Sequence, residues 1–339
     1  MKVDFFELTT TEQIEDLLEN SHQILEQYDL RGCLIESINY EYNATFAVTS
    51  DKGDKFALRV NINSPRTIAN VRGEISWVNH LQGMPGIFLP AAILNSSGSF
   101  VTQFHHQRSG RNLLCVLYAW VDGDELGDDL SLDQVRQVGK LIARLHDSSN
   151  GFAIPADAAL PNFSDPMWES KDCLLEVDSP LDPHARALIT QGFELIMKIT
   201  EELYSKSKRQ LIHGDIHGWN MKTLDGDLYI LDFDDCGFGL PVQDLSVAMY
   251  YLDTAEQVDA LLTGYSEVRE IPPYSERHMQ ALLLHRRLML LNYLYETQNQ
   301  EHQEMIPAYL EETLRRVEKF ISQADFSGCL TEVRGLSHE

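Results

Sequence analysis

Basic residues are scarce in this chain: 27 lysines and arginines stand against 52 aspartates and glutamates, a formal charge of −25 over 339 residues. Such a shortage argues against a nucleic-acid binder, which draws most of its affinity from cations that neutralise phosphates. Cysteine is also sparse. Cys33, Cys115, Cys173, Cys236 and Cys329 are odd in number and never fall at a C-x-x-C spacing, so neither a disulfide framework nor a zinc ribbon is expected, and a reducing cytoplasm fits. Uninterrupted apolar runs of membrane-spanning length are missing as well. The nearest, Leu282 to Leu294, is broken by His285, Arg286 and Arg287 and reads as a buried helix. The stretch Met1 to Asn20 is acidic, with neither an apolar h-region nor an Arg-rich transit pattern. The expectation is a cytoplasmic protein with no membrane and no nucleic-acid partner.

What is present is ordinary globular material, 43% hydrophobic and 9% aromatic. The length exceeds the roughly 250–300 residues at which a single core stops growing, so two lobes are expected. Thr11 to Leu30 carries a helical stripe of Ile14, Leu17, Leu18, Ile24 and Leu25, with Thr10 or Thr11 as the N-cap. Cys33 to Ile38, Ala44 to Thr49 and Lys55 to Ile62 read as strands, the last two joined by turn chemistry at Asp51 to Asp54. In Lys55 to Ile62 the side chains of Phe56, Leu58, Val60 and Ile62 share a core face, and Ala57, Arg59 and Asn61 share the other. A helix follows from Ile68 to Leu81, then extended stretches up to Asn112 to Val121. From Ser131 helices dominate. Ser131 and Gln134 form a capping-box pattern, and Leu132, Val135, Val138, Ile142 and Leu145 form that helix's buried stripe. Gly151 to Ser170 reads as a long connection and Phe326 to Glu339 as a frayed end. Strands first and helices afterwards predict a two-lobed α+β layout.

The chemistry concentrates between residues 211 and 245. The apolar pair Leu211-Ile212 runs into His213-Gly214-Asp215, and Asn220 follows five residues after the acid. Met221 to Leu224, the turn Asp225-Gly226 and Leu228 to Leu231 form a hairpin that ends in Asp232-Phe233-Asp234-Asp235. Two carboxylates and an amide therefore converge. That oxygen set suits Mg²⁺, which takes one or two carboxylates and draws its other ligands from phosphates and water.

With these residues in view, the chain resembles the aminoglycoside phosphotransferase and choline kinase group, small-molecule kinases with a protein-kinase-like fold, and is similar to type II homoserine kinases and bacterial stress-response kinases. The family's H-G-D-x-x-x-x-N loop is matched by His213, Gly214, Asp215 and Asn220, and its second metal-binding element by Leu231, Asp232 and Phe233. Arg59 stands at the phosphate-contacting position of the third strand. Ala57 stands at the position over adenine, and Glu74 at that of the acid paired with the cation. Leu117 to Gly123 resembles the hinge, whose backbone at Ala119 and Val121 would bond the adenine edge. Leu141 to His146 resembles the helix before the catalytic loop, and Gln243-Asp244-Leu245 the closing element.

The resemblance implies a bilobal fold, with 1–118 as a sheet-rich nucleotide-binding lobe and 119–339 as hinge and helical lobe. It implies ATP as donor, Mg²⁺ held by Asn220 and Asp232, and Asp215 as the group that accepts or orients the hydroxyl proton. Asp244 would be structural, accepting N–H bonds from the loop. The acceptor would be a hydroxyl of a small molecule: an amino alcohol, a hydroxy amino acid or a sugar. A Ser/Thr protein kinase and a non-catalytic nucleotide binder are the alternatives on the same scaffold.

Several residues depart from the pattern. Arg replaces Lys at 59, and the two are not interchangeable. No G-x-G-x-x-G covers the phosphates, and Tyr42-Asn43 stands in that place. Asp234 replaces the glycine after Asp-Phe, either as a further metal or substrate ligand or as a solvated loop acid. Gly214 to Gly218 also matches the first metal motif of phosphoprotein phosphatases, but the downstream motifs of that family are missing. His217 is then a loop residue near phosphates or substrate. The pair His105-His106 lacks a third ligand and is read as a surface strand or loop, and Cys236 as a small buried thiol. The acidic run Asp122, Asp124, Glu125, Asp128 and Asp129 either attracts an amine substrate or is a solvated loop. Of Arg286 and Arg287, one pairs with an acid of the core, or else one binds a substrate carboxylate such as that of homoserine or hydroxylysine.

Overall fold

The computed structural model describes residues 4–322; the tail Phe326 to Glu339 and Cys329 lie outside the described residues. The first helix, α1 (Thr10–Glu26), is capped by Thr9, where the sequence reading put the cap at Thr10 or Thr11. Thr9 accepts the Glu12 N–H at 3.3 Å while the Glu12 carboxylate accepts the Thr9 N–H at 2.9 Å. The reciprocal bonds between Thr9 and Glu12 fix the start of the helix.

The strands β1 (Leu34–Tyr40), β2 (Asn43–Thr49) and β3 (Lys55–Asn61) form an antiparallel meander. After α2 (Ile68–Leu81) come β4 (Ala92–Ile93), β5 (Thr102–His106) and β6 (Arg111–Ala119). The sheet runs β1-β2-β3-β6-β4, with β5 also paired to β6. Strand alternation gives each face its own cover. Leu58 and Val60 of β3 join Leu17, Ile24 and Leu25 of α1, with Phe46, Cys115 and Leu117. On the opposite face Val71 and Ile75 of α2 pack with Val101 and Val116, and Arg59 stands opposite Val116 in the register. His105 is exposed, as read from the sequence. His106 is not: it is fully buried, with Asp16 Oδ2 at 2.7 Å and Ser109 Oγ at 2.8 Å satisfying its two nitrogens.

These elements belong to one compact unit, the chain as far as Gln82 with Leu89–Asp122 and Ala153–Ala159; a second unit takes Gly83–Phe88, Gly123–Phe152 and the chain from Leu160 on. The second unit begins with β7 (Asp124–Glu125) and α3 (Leu132–Ser148), whose Ser131–Gln134 capping box is present. Val135, Val138, Ile142 and Leu145 are buried as expected, but Leu132 is 50% exposed. Side chains tilt toward the helix N-terminus, so the first helical residue overhangs the cap rather than the core.

Then follow α4 (Pro183–Lys206), β8 (Gln210–Ile212), β9 (Met221–Leu224), β10 (Asp227–Ile230) and β11 (Gly237–Gly239). Five helices complete the unit: α5 (Pro241–Tyr250), α6 (Ala255–Ser266), α7 (Glu276–Glu296), α8 (Gln300–Glu304) and α9 (Ile306–Ser322). Small antiparallel ribbons, β10-β9-β7 and β11-β8, sit among them. Ile189, Phe193 and Ile196 of α4 pack with Leu284, Leu288 and Leu291 of α7 and Val317 of α9. The α+β class read from the sequence is the observed one. Among the described residues no helix is long and apolar enough to cross a membrane.

Candidate active site

The short strand β8 delivers the chain into the loop 213–220, and its entry is shaped by two features. Gly214 adopts φ +84°, in the left-handed region open to glycine without steric penalty. Asp244, fully buried at the start of α5, accepts the His213 N–H at 2.9 Å and the Gly214 N–H at 2.7 Å. Its carboxylate also lies 3.0 Å from His146 Nε2, at the end of α3. The structural role expected of Asp244 is thus directly visible: one side chain ties two helices to the backbone of the loop.

His213 fixes the next step. Its Nε2–H donates to the Leu231 carbonyl at 3.0 Å, leaving Nδ1 to accept the Asp215 N–H at 3.3 Å. Burial pushes this imidazole's pKa down against the pull of Asp244 and Asp215, which suits the neutral tautomer those bonds require. One ring therefore bridges the loop to the residue before Asp232.

Asn220 makes a second bridge. Its Nδ2 donates to the Asp215 backbone carbonyl and to Asp215 Oδ2, both at 3.0 Å, and its own carbonyl accepts the Leu231 N–H at 2.9 Å. With Nδ2 so engaged, Oδ1 is the amide atom left for a ligand. Asp232 follows at φ +57°, a conformation that Asp tolerates better than most residues, and the Phe233 ring packs 4.7 Å from His213. The three oxygen-bearing residues read from the sequence are thereby tied to one another through the backbone around Leu231. The site offers hard oxygen donors, which fits a hard cation whose other ligands come from phosphates and water. Among the described residues no three His, Cys, Asp or Glu side chains gather to hold a metal.

Around Asp215 the structure adds partners that the motif does not supply. His217 Nε2 lies 3.2 Å from Oδ2, and Arg286 of α7 donates from Nη2 to Oδ1. The same Nη2 donates to the Tyr251 hydroxyl at 2.6 Å. Burial raises the Asp215 pKa, but the charges of His217 and Arg286 outweigh it and hold the carboxyl well below the usual carboxylate range. Tyr251, chiefly through burial, is pushed up to about 12 and stays a neutral hydroxyl. Of the two readings of the arginine pair, an acid does hold Arg286, but it is the acid of the loop itself. Arg287 has no carboxylate partner among the described residues: it donates to Thr313 Oγ1 at 2.9 Å and to the Tyr309 carbonyl at 3.1 Å, and lies over the Tyr309 ring. Tyr251 carried no signal in the sequence. Arg286 did, as a charge inside an apolar helix.

The remaining candidates lie in the sheet-rich unit. Arg59 and Glu74 form a buried ion pair, Nη2 to Oε2 at 2.6 Å, and the Tyr118 hydroxyl donates to the other Glu74 oxygen at 2.9 Å. Ala57 is half-buried on the same strand face as Arg59. Ala119 gives its N–H to the Ala91 carbonyl at 2.8 Å, so only its carbonyl is left for a nucleotide base. Val121 follows β6 and is half-buried. In the acidic run, Asp128 accepts from Trp219 Nε1 at 3.0 Å and Asp122 from Trp120 Nε1 at 3.1 Å. Cys236 is a fully buried thiol, as expected.

Residues 39–278 match the model of the APH phosphotransferase enzyme family. Amicoumacin kinase of Bacillus subtilis (strain 168) is 21% identical over 295 residues, covering 81% of this chain and 84% of the relative. A serine/threonine protein kinase of Salmonella typhimurium is 28% identical over 162 residues, 46% of this chain and 47% of the relative. Among solved structures, a microcompartment-associated aminopropanol kinase aligns with a TM-score of 0.74 at 24% identity, covering 90% of this chain and 98% of that one. An amicoumacin kinase in complex with AMP-PNP, Ca²⁺ and Ami aligns with a TM-score of 0.74 at 18% identity, covering 91% and 96%. At these identities the alignments establish a shared fold.

Proposed function

We propose, since this chain belongs to the phosphotransferase enzyme family, that it transfers the γ-phosphoryl group of ATP to a hydroxyl of a small molecule. The observation that carries this reading is the linkage of Asp215, Asn220 and the Asp232 turn through His213 and the Leu231 backbone. In the reaction the acceptor oxygen bonds to the γ-phosphorus as the bond from that phosphorus to the β,γ-bridging oxygen breaks. ADP leaves with the bridging oxygen, and the hydroxyl proton passes to Asp215 and on to solvent.

Asp215, kept ionised by His217 and Arg286, acts mainly by accepting and aiming the acceptor O–H. Phosphoryl transfer through a loose transition state needs position more than a strong base. Asn220 Oδ1 and Asp232 are the residues for Mg²⁺, whose chemistry is to neutralise charge on the phosphates. Arg59, oriented by Glu74, would meet the phosphates, Ala57 the adenine face, and the Ala119 carbonyl and Val121 the adenine edge. The two principal relatives support a small-molecule acceptor: their names give amicoumacin and aminopropanol as what those proteins phosphorylate. A second reading, a Ser/Thr protein kinase, draws on the Salmonella relative.

A screen of ATP consumption over amino alcohols, hydroxy amino acids, sugars, aminoglycosides and model proteins tests the reading. Turnover with a small alcohol is expected, and Asp215→Asn should lower kcat by about 10²- to 10⁴-fold while nucleotide binding persists. Phosphate found only on Ser or Thr of a protein would favour the second reading.

A further inference from the structure

Arg286 is 7% exposed, and both of its hydrogen bonds, to Asp215 Oδ1 and to the Tyr251 hydroxyl, leave from Nη2. Its Nε–H is buried and meets no acceptor among the described residues. A buried charged donor without a partner is costly, so the arrangement is suited to a ligand that brings an acceptor.

Where such a ligand lies follows from the lone pairs of Asp215. An ionised carboxylate offers about four acceptor positions. Around Oδ2 stand His217 Nε2 at 3.2 Å and Asn220 Nδ2–H at 3.0 Å, two nitrogens that lie 3.1 Å from each other. Among the described residues Oδ1 holds Arg286 alone. An acceptor hydroxyl aimed by Asp215 therefore donates to Oδ1, and it does so beside the guanidinium. A group on the carbon next to that hydroxyl meets a fixed positive charge and the unused N–H. A carboxylate there would gain a charge-assisted bond from the guanidinium that an alcohol lacking it cannot form.

Resting on the phosphotransferase reading above, we propose that Arg286 is a specificity-determining residue that binds a carboxylate carried by the acceptor close to its hydroxyl. The substrates of this site are then hydroxy acids, including hydroxy amino acids, in preference to the alcohols that lack the carboxylate. A guanidinium in this position could instead meet the transferred phosphoryl group, and the test separates the two anions.

Matched pairs that differ only by the carboxylate supply the test on the full-length protein: serine and ethanolamine, threonine and 1-amino-2-propanol, homoserine and 3-amino-1-propanol. The productive pair should show kcat/KM about 10- to 100-fold higher for the acid member. Arg286→Gln should bring the two members to within about threefold of each other by raising KM for the acid while KM for ATP stays put. Arg286→Lys, which keeps a charge in case the Gln variant fails to fold, should retain part of the preference. Three outcomes overturn the proposal. The decarboxylated alcohol could match or exceed its acid. Arg286→Gln could lower kcat equally for both members and raise KM for ATP, which would assign the guanidinium to the nucleotide. Or no member of any pair could consume ATP; turnover with a sugar or an aminoglycoside would then leave the phosphotransferase reading standing, and failure to bind Mg·ATP by calorimetry would remove that as well.

Discussion

Asp244 illustrates how a residue far from the phosphates governs the loop that would meet them. Its carboxylate satisfies two consecutive backbone N–H groups and a buried imidazole. Asp244→Asn places an amide N–H against one of those donors and removes the charge. The expected loss of stability is about 3 kcal/mol or more, read from denaturant unfolding. Misaiming Asp215 should also lower kcat by about 10²-fold even in protein that remains folded. At this scale much was legible. Asp215, Asn220 and Asp232 are recognisable because the chemistry demands oxygen donors at those spacings along one continuous stretch, and His213, Gly214 and Asp244 through the family resemblance. The partnership of Arg286 with Asp215 was not, because the two are 71 positions apart and only the packing of α7 beside the loop brings them together.

Elements were readable wherever a local rule set their ends. The Ser131–Gln134 and Thr67–Asn70 reciprocal bonds start α3 and α2, and the Asp225-Gly226 turn closes the β9–β10 hairpin, with Asp227 registered against Leu224. What carried no such signal was the closeness of α3 and α6. A methyl on Gly139 would run into the Leu261 carbonyl oxygen, and one on Gly264 into that of Arg136, so the helices cross at these two glycines with backbone nearly on backbone. Alanine ordinarily favours a helix over glycine by about 1 kcal/mol. Here the sign reverses: Gly139→Ala should destabilise by about 2–3 kcal/mol through overpacking, seen as a lower denaturation midpoint. Because α3 ends in His146, which lies against Asp244, the same variant should also lose activity.

For the molecule as a whole, acid stability carries a readable signature. His285 is buried in α7, donating Nε2–H to the Pro166 carbonyl at 2.7 Å, and burial pushes its pKa down to about 4. In the unfolded chain a histidine titrates near 6.5. The unfolded state therefore binds the extra proton first as pH falls, and the native state loses stability from about pH 6.5 down to about pH 4, on the order of 3 kcal/mol in all. Below that window this residue adds nothing further. Denaturant unfolding measured at a series of pH values should show the slope, and His285→Gln should flatten it, whatever that variant does to stability at neutral pH.

By itself the sequence determined the α+β class, the order of strands and helices, and the oxygen-bearing residues of the loop, because each is written in short-range periodicity, capping and turn chemistry. Tertiary structure alone decided that His106 is sealed against Asp16 and that Arg286 pairs with Asp215 of the loop rather than with an ordinary core acid. Those are pairings between distant segments. They depend on how helices and sheets pack, and no local pattern of residues specifies that.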